Sequence, residues 1–221
     1  MSKIEDPSGI PEDEFMREGL VDRLRQYLAA EPGAWHVRYN LGVALMQGGQ
    51  EDQALNEFRQ VMADSPKHLE SMINIAAIHL GRGEPEEALK VLTNALKVWD
   101  IPMVRANLGV AYLQMDRLEE AAQQLKMALN AAPNMPDALT NLSTIFLRQD
   151  ELDKAAEAAR EALKLNDNFA MAHNNMAVIL SEQGDLEQAR FHALRARELG
   201  YQLHPELAAR LDLAPGGGQR G

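Results

Sequence analysis

A period of thirty-four residues runs through most of this chain. Asn-hydrophobic-small triplets stand at Asn40-Leu41-Gly42, Asn74-Ile75-Ala76, Asn107-Leu108-Gly109, Asn141-Leu142-Ser143 and Asn175-Met176-Ala177, spaced by 34, 33, 34 and 34 residues. Fourteen positions after each asparagine comes an alanine, at Ala54, Ala88, Ala121, Ala155 and Ala189. Seven further on sits Val61, Ala95, Ala128, Ala162 or Ala196. A beat of this length means a repeated pair of elements that cannot bury its apolar face alone and must stack on its neighbours.

Each beat divides into two amphipathic segments of about thirteen residues, too short to stand as isolated helices. In the first beat, Leu41, Gly42 and Leu45 share one stripe of the segment Trp35–Gln47. Ala54, Phe58 and Val61 share a stripe of the segment from Gln50 to Ala63. That is helical spacing, not strand alternation. Small residues at Gly42 and Ala54 let two helix axes approach closely. Gly49, Gly83, Asp116, Asp150 and Gly184 fall between the two segments as turn formers, and Pro66 and Pro133 follow second segments, where proline stops a helix. Aromatic residues make up only 5% of the chain, which favours helices over sheets.

These marks resemble the tetratricopeptide repeat family. The third beat matches the family pattern best, with Leu108, Gly109, Tyr112, Ala121, Leu125, Ala128 and Pro133; the early tryptophan position of the family holds Arg38, Met72, Arg105, Leu139 and His173 instead. The resemblance implies an all-α fold, an α-solenoid built as a right-handed superhelix of stacked antiparallel helix pairs, with the first helices lining a concave side. Five repeats are expected at 35–68, 69–101, 102–135, 136–169 and 170–203. Residues 12–34 are expected to form an N-terminal capping helix with Phe15, Leu20, Leu24, Tyr27 and Leu28 on one face, and 204–213 a C-terminal cap with Leu207 and Leu211 turned inward. Segments 1–11 and 214–221 are expected to be disordered. Trp35 is expected to staple the first cap to the first repeat. Trp99 lies in a junction one residue shorter than its siblings and is expected to pack beneath it, or, if exposed, to anchor a partner.

On a first helix, positions 2, 5, 6, 9, 12 and 13 share one face. This inner face carries Asn40, Asn74, Asn107, Asn141 and Asn175 at position 6. An asparagine amide both donates and accepts, so a row of them reads the backbone of an extended peptide. The row resembles the asparagine ladder in the superhelical repeat domain of O-linked N-acetylglucosamine transferases. Tyr39, Met103, Gln114, Arg148, Met171 and Asn174 complete the candidate peptide-binding set, the methionines as adaptable apolar contacts. The carboxylate clamp of chaperone-binding repeats needs Lys at position 5 and Asn at position 9. Position 5 holds Tyr39, Ile73, Ala106, Thr140 and Asn174, and position 9 never holds Asn, so the C-terminal tails of heat-shock chaperones are not the expected ligand.

The chain has 33 acidic against 22 basic residues, a net charge of −11, which argues against gripping nucleic acid or anionic lipid. No apolar run is long enough for membrane insertion. The first residues turn acidic where a signal peptide needs an apolar stretch, so a cytoplasmic protein is expected. There is no cysteine, the six histidines have no metal-ligand spacing, and neither a phosphate loop nor a Gly-x-Ser-x-Gly elbow occurs. No cofactor, no metal and no enzymatic activity are expected. Two readings follow: an adaptor that binds an extended or helical segment of another protein in the concave groove, or an assembly subunit that self-associates through the solenoid ends or the convex surface.

Overall fold

A computed structural model describes residues 19–213. The expectations for 1–11, for Phe15 and for 214–221 fall outside them. Among the described residues there are twelve helices and no strand, and the chain divides into two compact units, Met1–Asp100 and Ile101–Gly221. The division falls inside the shortened junction around Trp99.

Unit 1 holds α1 (Leu20–Ala30), α2 (Trp35–Gln47), α3 (Glu51–Asp64), α4 (Leu69–Gly81) and α5 (Pro85–Leu96). Unit 2 holds α6 (Pro102–Gln114), α7 (Leu118–Ala131), α8 (Pro136–Arg148), α9 (Leu152–Leu165), α10 (Ala170–Glu182), α11 (Leu186–Glu198) and α12 (Pro205–Arg210). Local chemistry marks the helix starts. Proline occupies the first position of α5, α6, α8 and α12, where its missing N–H has no helical partner to lose. Acidic pairs in the first turns of α3, α5 and α7 face the positive end of the helix dipole.

The turn within each helix pair closes in one way. Gln50, Glu84, Arg117, Glu151 and Asp185 each donate their backbone N–H to a carbonyl five residues back, at 2.8–2.9 Å. This closure needs left-handed backbone one residue earlier, and Gly49 supplies it with φ 72°. Asp116 and Asp150 adopt φ 58° and 60° at the same place, a conformation aspartate tolerates better than most side chains.

Helix pairs approach closely because the first helix presents a small residue where the second packs on it. A Cβ on Gly42 would lie 2.6 Å from Phe58 Cε1, and a Cβ on Gly109 would lie 2.6 Å from Leu125 Cγ. The equivalent pairs are Ala76 and Leu92, Ser143 and Ala159, and Ala177 and Ala193, all fully buried. The first-helix residue is always small and its partner varies: glycine stands opposite phenylalanine or leucine, alanine opposite leucine or alanine, and serine opposite alanine.

In unit 1, Val21, Leu24 and Leu28 of α1 pack on the cluster of Leu41, Leu45, Leu55 and Phe58. Tyr27 does not join them. It is 46% exposed, and its hydroxyl donates to Glu31 at 3.3 Å. Val21, three residues before Leu24, takes the place on the stripe that Tyr27 was expected to fill. In unit 2, Leu125, Ile145, Phe146, Ala155 and Ile179 centre one cluster. Leu207, Leu211 and Leu213 close its far end against Ala177, Ala189 and Ala193.

Candidate functional site

The first helices are α2 and α4 in unit 1, and α6, α8 and α10 in unit 2. Their face at positions 2, 5, 6, 9, 12 and 13 carries every residue of the expected peptide-binding set, and the structure treats those residues unequally.

Asn40, Asn74, Asn107 and Asn141 are partly exposed, whereas Asn175 is 4% exposed. Within unit 2, the Asn175 amide donates across to the preceding first helix, to the Thr140 carbonyl at 3.2 Å and to Thr144 Oγ1 at 3.0 Å. Within unit 1, the Asn74 amide donates to the Tyr39 hydroxyl at 3.3 Å. The position-6 asparagine therefore reaches back toward positions 5 and 9 of the helix before it. Where those positions offer a side-chain oxygen, as Tyr39 and Thr144 do, the amide is held by its own chain, and at Asn175 the Thr140 backbone carbonyl adds a second acceptor. Before Asn141 they are Ala106 and Val110, which offer none.

The other expected residues divide similarly. Arg148 donates to the Leu113 carbonyl at 3.4 Å and pairs with Asp116 at 3.2 Å, so it closes the end of α6. The Tyr39 hydroxyl is held above its ordinary pKa, mainly by burial and secondarily by the Glu70 carboxylate, with the Asn74 hydrogen bond acting in the opposite sense. Met103 is 53% exposed, Gln114 is exposed, and Met171 and Asn174 are half-buried. At positions 9 and 12 of this face the apolar residues also differ: Leu80 and Leu113 are buried, Met46, Leu147, Val43, Val110 and Val178 are partly exposed, and Ala77 is exposed.

Charge on this face is sparse. Glu70 is the one charged residue at these positions in unit 1; unit 2 has Asp137 and Glu182 against Arg148. Arg38, on another side of α2, is tied to Glu57 at 3.0 Å, Gln60 at 2.5 Å and the Pro32 carbonyl at 2.9 Å.

A second feature was missed in the sequence. Position 4 of each first helix meets a residue nineteen further on, on the second helix. Arg38 pairs with Glu57, Arg105 donates to Gln124 at 3.0 Å, and His173 meets His192, Nδ1 to Nδ1 at 2.9 Å. The same register elsewhere holds Met72 with Val91 and Leu139 with Ala158, both apolar. Each departure from the family's early tryptophan is thus matched in kind by its partner.

The histidine pair has defined tautomers. His173 Nε2–H donates to the Asp167 carbonyl at 2.8 Å, which leaves its Nδ1 to accept from His192 Nδ1–H. Burial, and next the neighbouring His173, push His192 down from 6.5 to about 4, against a smaller upward pull from Asp167. As pH falls, the unfolded chain takes up this proton near 6.5 and the folded chain only near 4. The neutral pair thus contributes its full stability above pH 6.5 and loses it progressively down to about pH 4. Because the ring is half exposed, the loss is expected to be only on the order of 1 kcal/mol. Urea midpoints at pH 7 and 4.5 should fall further for the native chain than for His192→Gln; equal falls would remove His192 as a cause.

No group of three or more His, Asp or Glu among the described residues is arranged to hold a metal ion. No helix among them is long and apolar enough to cross a membrane.

Helix pairs recurring every 34 residues, with a small residue of the first helix at the contact inside each pair, define an α-solenoid repeat protein. The chain belongs to the tetratricopeptide repeat family, whose sequence models match residues 21–68 and 73–136, 136–169, and 158–191. It is 27% identical over 111 residues to the protein CTR9 homolog of Arabidopsis thaliana, covering 49% of this chain and 10% of that relative. The chain thus spans about a tenth of the length of that curated relative. Among solved structures it is similar to pilF of Pseudomonas aeruginosa, with 23% identity, TM-score 0.68, and 89% of this chain and 84% of that one covered. It is also similar to a thermophilic TPR protein of Thermus thermophilus, with 23% identity, TM-score 0.66, and 81% and 97% covered. A tetratricopeptide repeat protein of Parabacteroides merdae shares 12% identity at TM-score 0.71, with 90% and 78% covered. At these identities the structures establish the shared fold.

Proposed function

We propose that this protein is a non-enzymatic interaction adaptor whose first-helix faces hold an extended or helical segment of a partner protein. Tetratricopeptide repeats are protein-binding scaffolds as a class, and within each unit the first helices carry partly exposed side chains at the same positions. One observation carries the reading. Asn141 is partly exposed, and Ala106 and Val110 of the preceding first helix offer its amide no side-chain oxygen, which supports reading its donors and acceptor as open to a ligand. Partly exposed Asn40 and Asn107 are read in the same way, with Met103 as an adaptable apolar contact.

The test is a twelve-residue peptide display library selected on the full chain. Asn107→Ala with Asn141→Ala is expected to weaken the selected peptides about ten-fold, the effect of two lost hydrogen bonds, while the melting temperature stays nearly unchanged. Peptides that bind the double variant equally well would overturn the reading. A concentration-dependent multimer in light scattering, indifferent to both substitutions, would favour self-assembly instead.

A further inference from the structure

Both tryptophans of the chain sit on one turn of unit 1, between α3 and α4. Trp35 packs its ring against His68 at 5.3 Å between centroids, and the Trp99 indole N–H donates to the Lys67 carbonyl at 3.0 Å. Neither is stowed away: Trp35 is 44% exposed and Trp99 41%. The aromatic neighbours of Trp35 are His36 and His68. It stands at the open end of an aromatic row that continues from His68 to Tyr39 at 5.1 Å and from Tyr39 to Phe58 at 5.8 Å.

The row has an electrostatic sign. Aromatic faces attract cations. His68 Nδ1 accepts the Ser71 backbone N–H at 3.2 Å, so this ring nitrogen carries a lone pair and no proton. Glu70, whose side chain is 61% exposed, places a carboxylate oxygen 3.7 Å from His68 Nε2, and its charge reaches the Tyr39 hydroxyl. No Lys or Arg stands at positions 2, 5, 6, 9, 12 or 13 of α2 or α4. Arg38, the cation of α2, is held by Glu57, Gln60 and Pro32. The patch thus combines the exposed Trp35 indole, backed by the partly buried His68 and Tyr39 rings, with a carboxylate that has little of its own to neutralise it, on a chain of net charge −11.

We propose that Trp35, Tyr39, His68 and Glu70 form a site for an arginine side chain of the bound partner segment. The proposal rests on the adaptor reading above and names the chemistry that unit 1 selects. A guanidinium is planar and weakly hydrated, so it stacks on an indole while its N–H fork meets a carboxylate; an ammonium does the second far better than the first. Trp99 lies across the turn as an apolar flank. Lys67 is the nearest opposing charge in sequence, and its replacement by Gln should leave binding unchanged or tighten it.

The library selected on the full chain tests this directly. Arginine is expected at one fixed register among the selected peptides. Replacing it with citrulline, which keeps the shape and removes the charge, should weaken binding about ten-fold. Trp35→Ser and Glu70→Gln, both at exposed positions, should each weaken the arginine peptide several-fold and leave the citrulline peptide unaffected, with unchanged melting temperature. Selected peptides that need Asn107 and Asn141 but carry no arginine, or that are proline-rich and indifferent to Glu70, would overturn the arginine site and leave the adaptor reading standing. Arginine peptides that need Trp35 and Glu70 but ignore the asparagines would support the arginine site and overturn the part given to Asn107 and Asn141. If no peptide is selected, titration with N-acetyl-L-argininamide followed by tryptophan fluorescence decides: a saturable change absent with the citrulline amide and in Trp35→Ser supports the site, and its absence overturns it.

Discussion

Gly109→Ala is expected to destabilise unit 2 by about 1–3 kcal/mol, although alanine is the better helix former by about 1 kcal/mol. The new methyl would lie 2.6 Å from Leu125 Cγ, 2.9 Å from its Cδ2 and 3.3 Å from the Ala121 carbonyl oxygen. Leu125 is fully buried and cannot swing into solvent, so α6 and α7 must separate or Leu125 must leave its rotamer. The signature is the coupling. Leu125→Ala alone should cost about 2–5 kcal/mol by opening a cavity. In that background Gly109→Ala should turn neutral or stabilising, because the methyl enters the vacated space and the helix propensity is recovered. Urea melts of the four proteins, with amide exchange in α6 and α7 as the local readout, complete the cycle. Equal costs for Gly109→Ala in both backgrounds would show that contact with Leu125 is not what excludes a side chain at position 109.

Asn175→Ala should cost about 1–3 kcal/mol, while Asn141→Ala should stay within about 0.5 kcal/mol. The two residues hold the same register in neighbouring repeats and differ in what lies behind them. The Asn175 amide is buried and donates twice to α8, so truncation removes both bonds and leaves Thr144 Oγ1 and the Thr140 carbonyl without that donor in a place water does not readily reach. The Asn141 amide is partly exposed beside Ala106 and Val110, and water can replace whatever truncation removes. Thermal melts of the two single variants measure the contrast. Equal, small losses would return Asn175 to the ligand-facing set; equal, large ones would make the whole row structural.

The contrast also shows what was legible in advance. Register was: the asparagines, the alanines and the turn formers share one period, and Asp116 and Asp150 adopt the left-handed backbone that Gly49 adopts. Period and polarity are local properties of the chain and survive translation from sequence to helix. Partnership was not, because it depends on which residue stands one repeat or one helix away. Asn175 looks like Asn141 until Thr140 and Thr144 are set behind it. His173 and His192 look unrelated until the nineteen-residue register that joins Arg38 to Glu57 is laid over them. That register was a signal available in the sequence. The face taken by Tyr27 was misjudged for a simpler reason: a capping helix has a neighbour on one side only, and its apolar stripe is narrow enough for Val21, Leu24 and Leu28 to fill.

The exchange of bulk between Gly42 and Phe58, Gly109 and Leu125, and Ser143 and Ala159 sets the unit in which such a protein can be rearranged. A recombination break placed inside a hairpin would bring Phe58 against Ser143 and collide, or Ala159 against Gly42 and leave a hole. A break placed between hairpins moves knob and socket together. Duplication, deletion or grafting of this architecture should therefore tolerate cuts near Ser65 and Ala132 and reject cuts near Gly49 and Asp116, which makes the hairpin, and not the single helix, the piece that can be inherited whole.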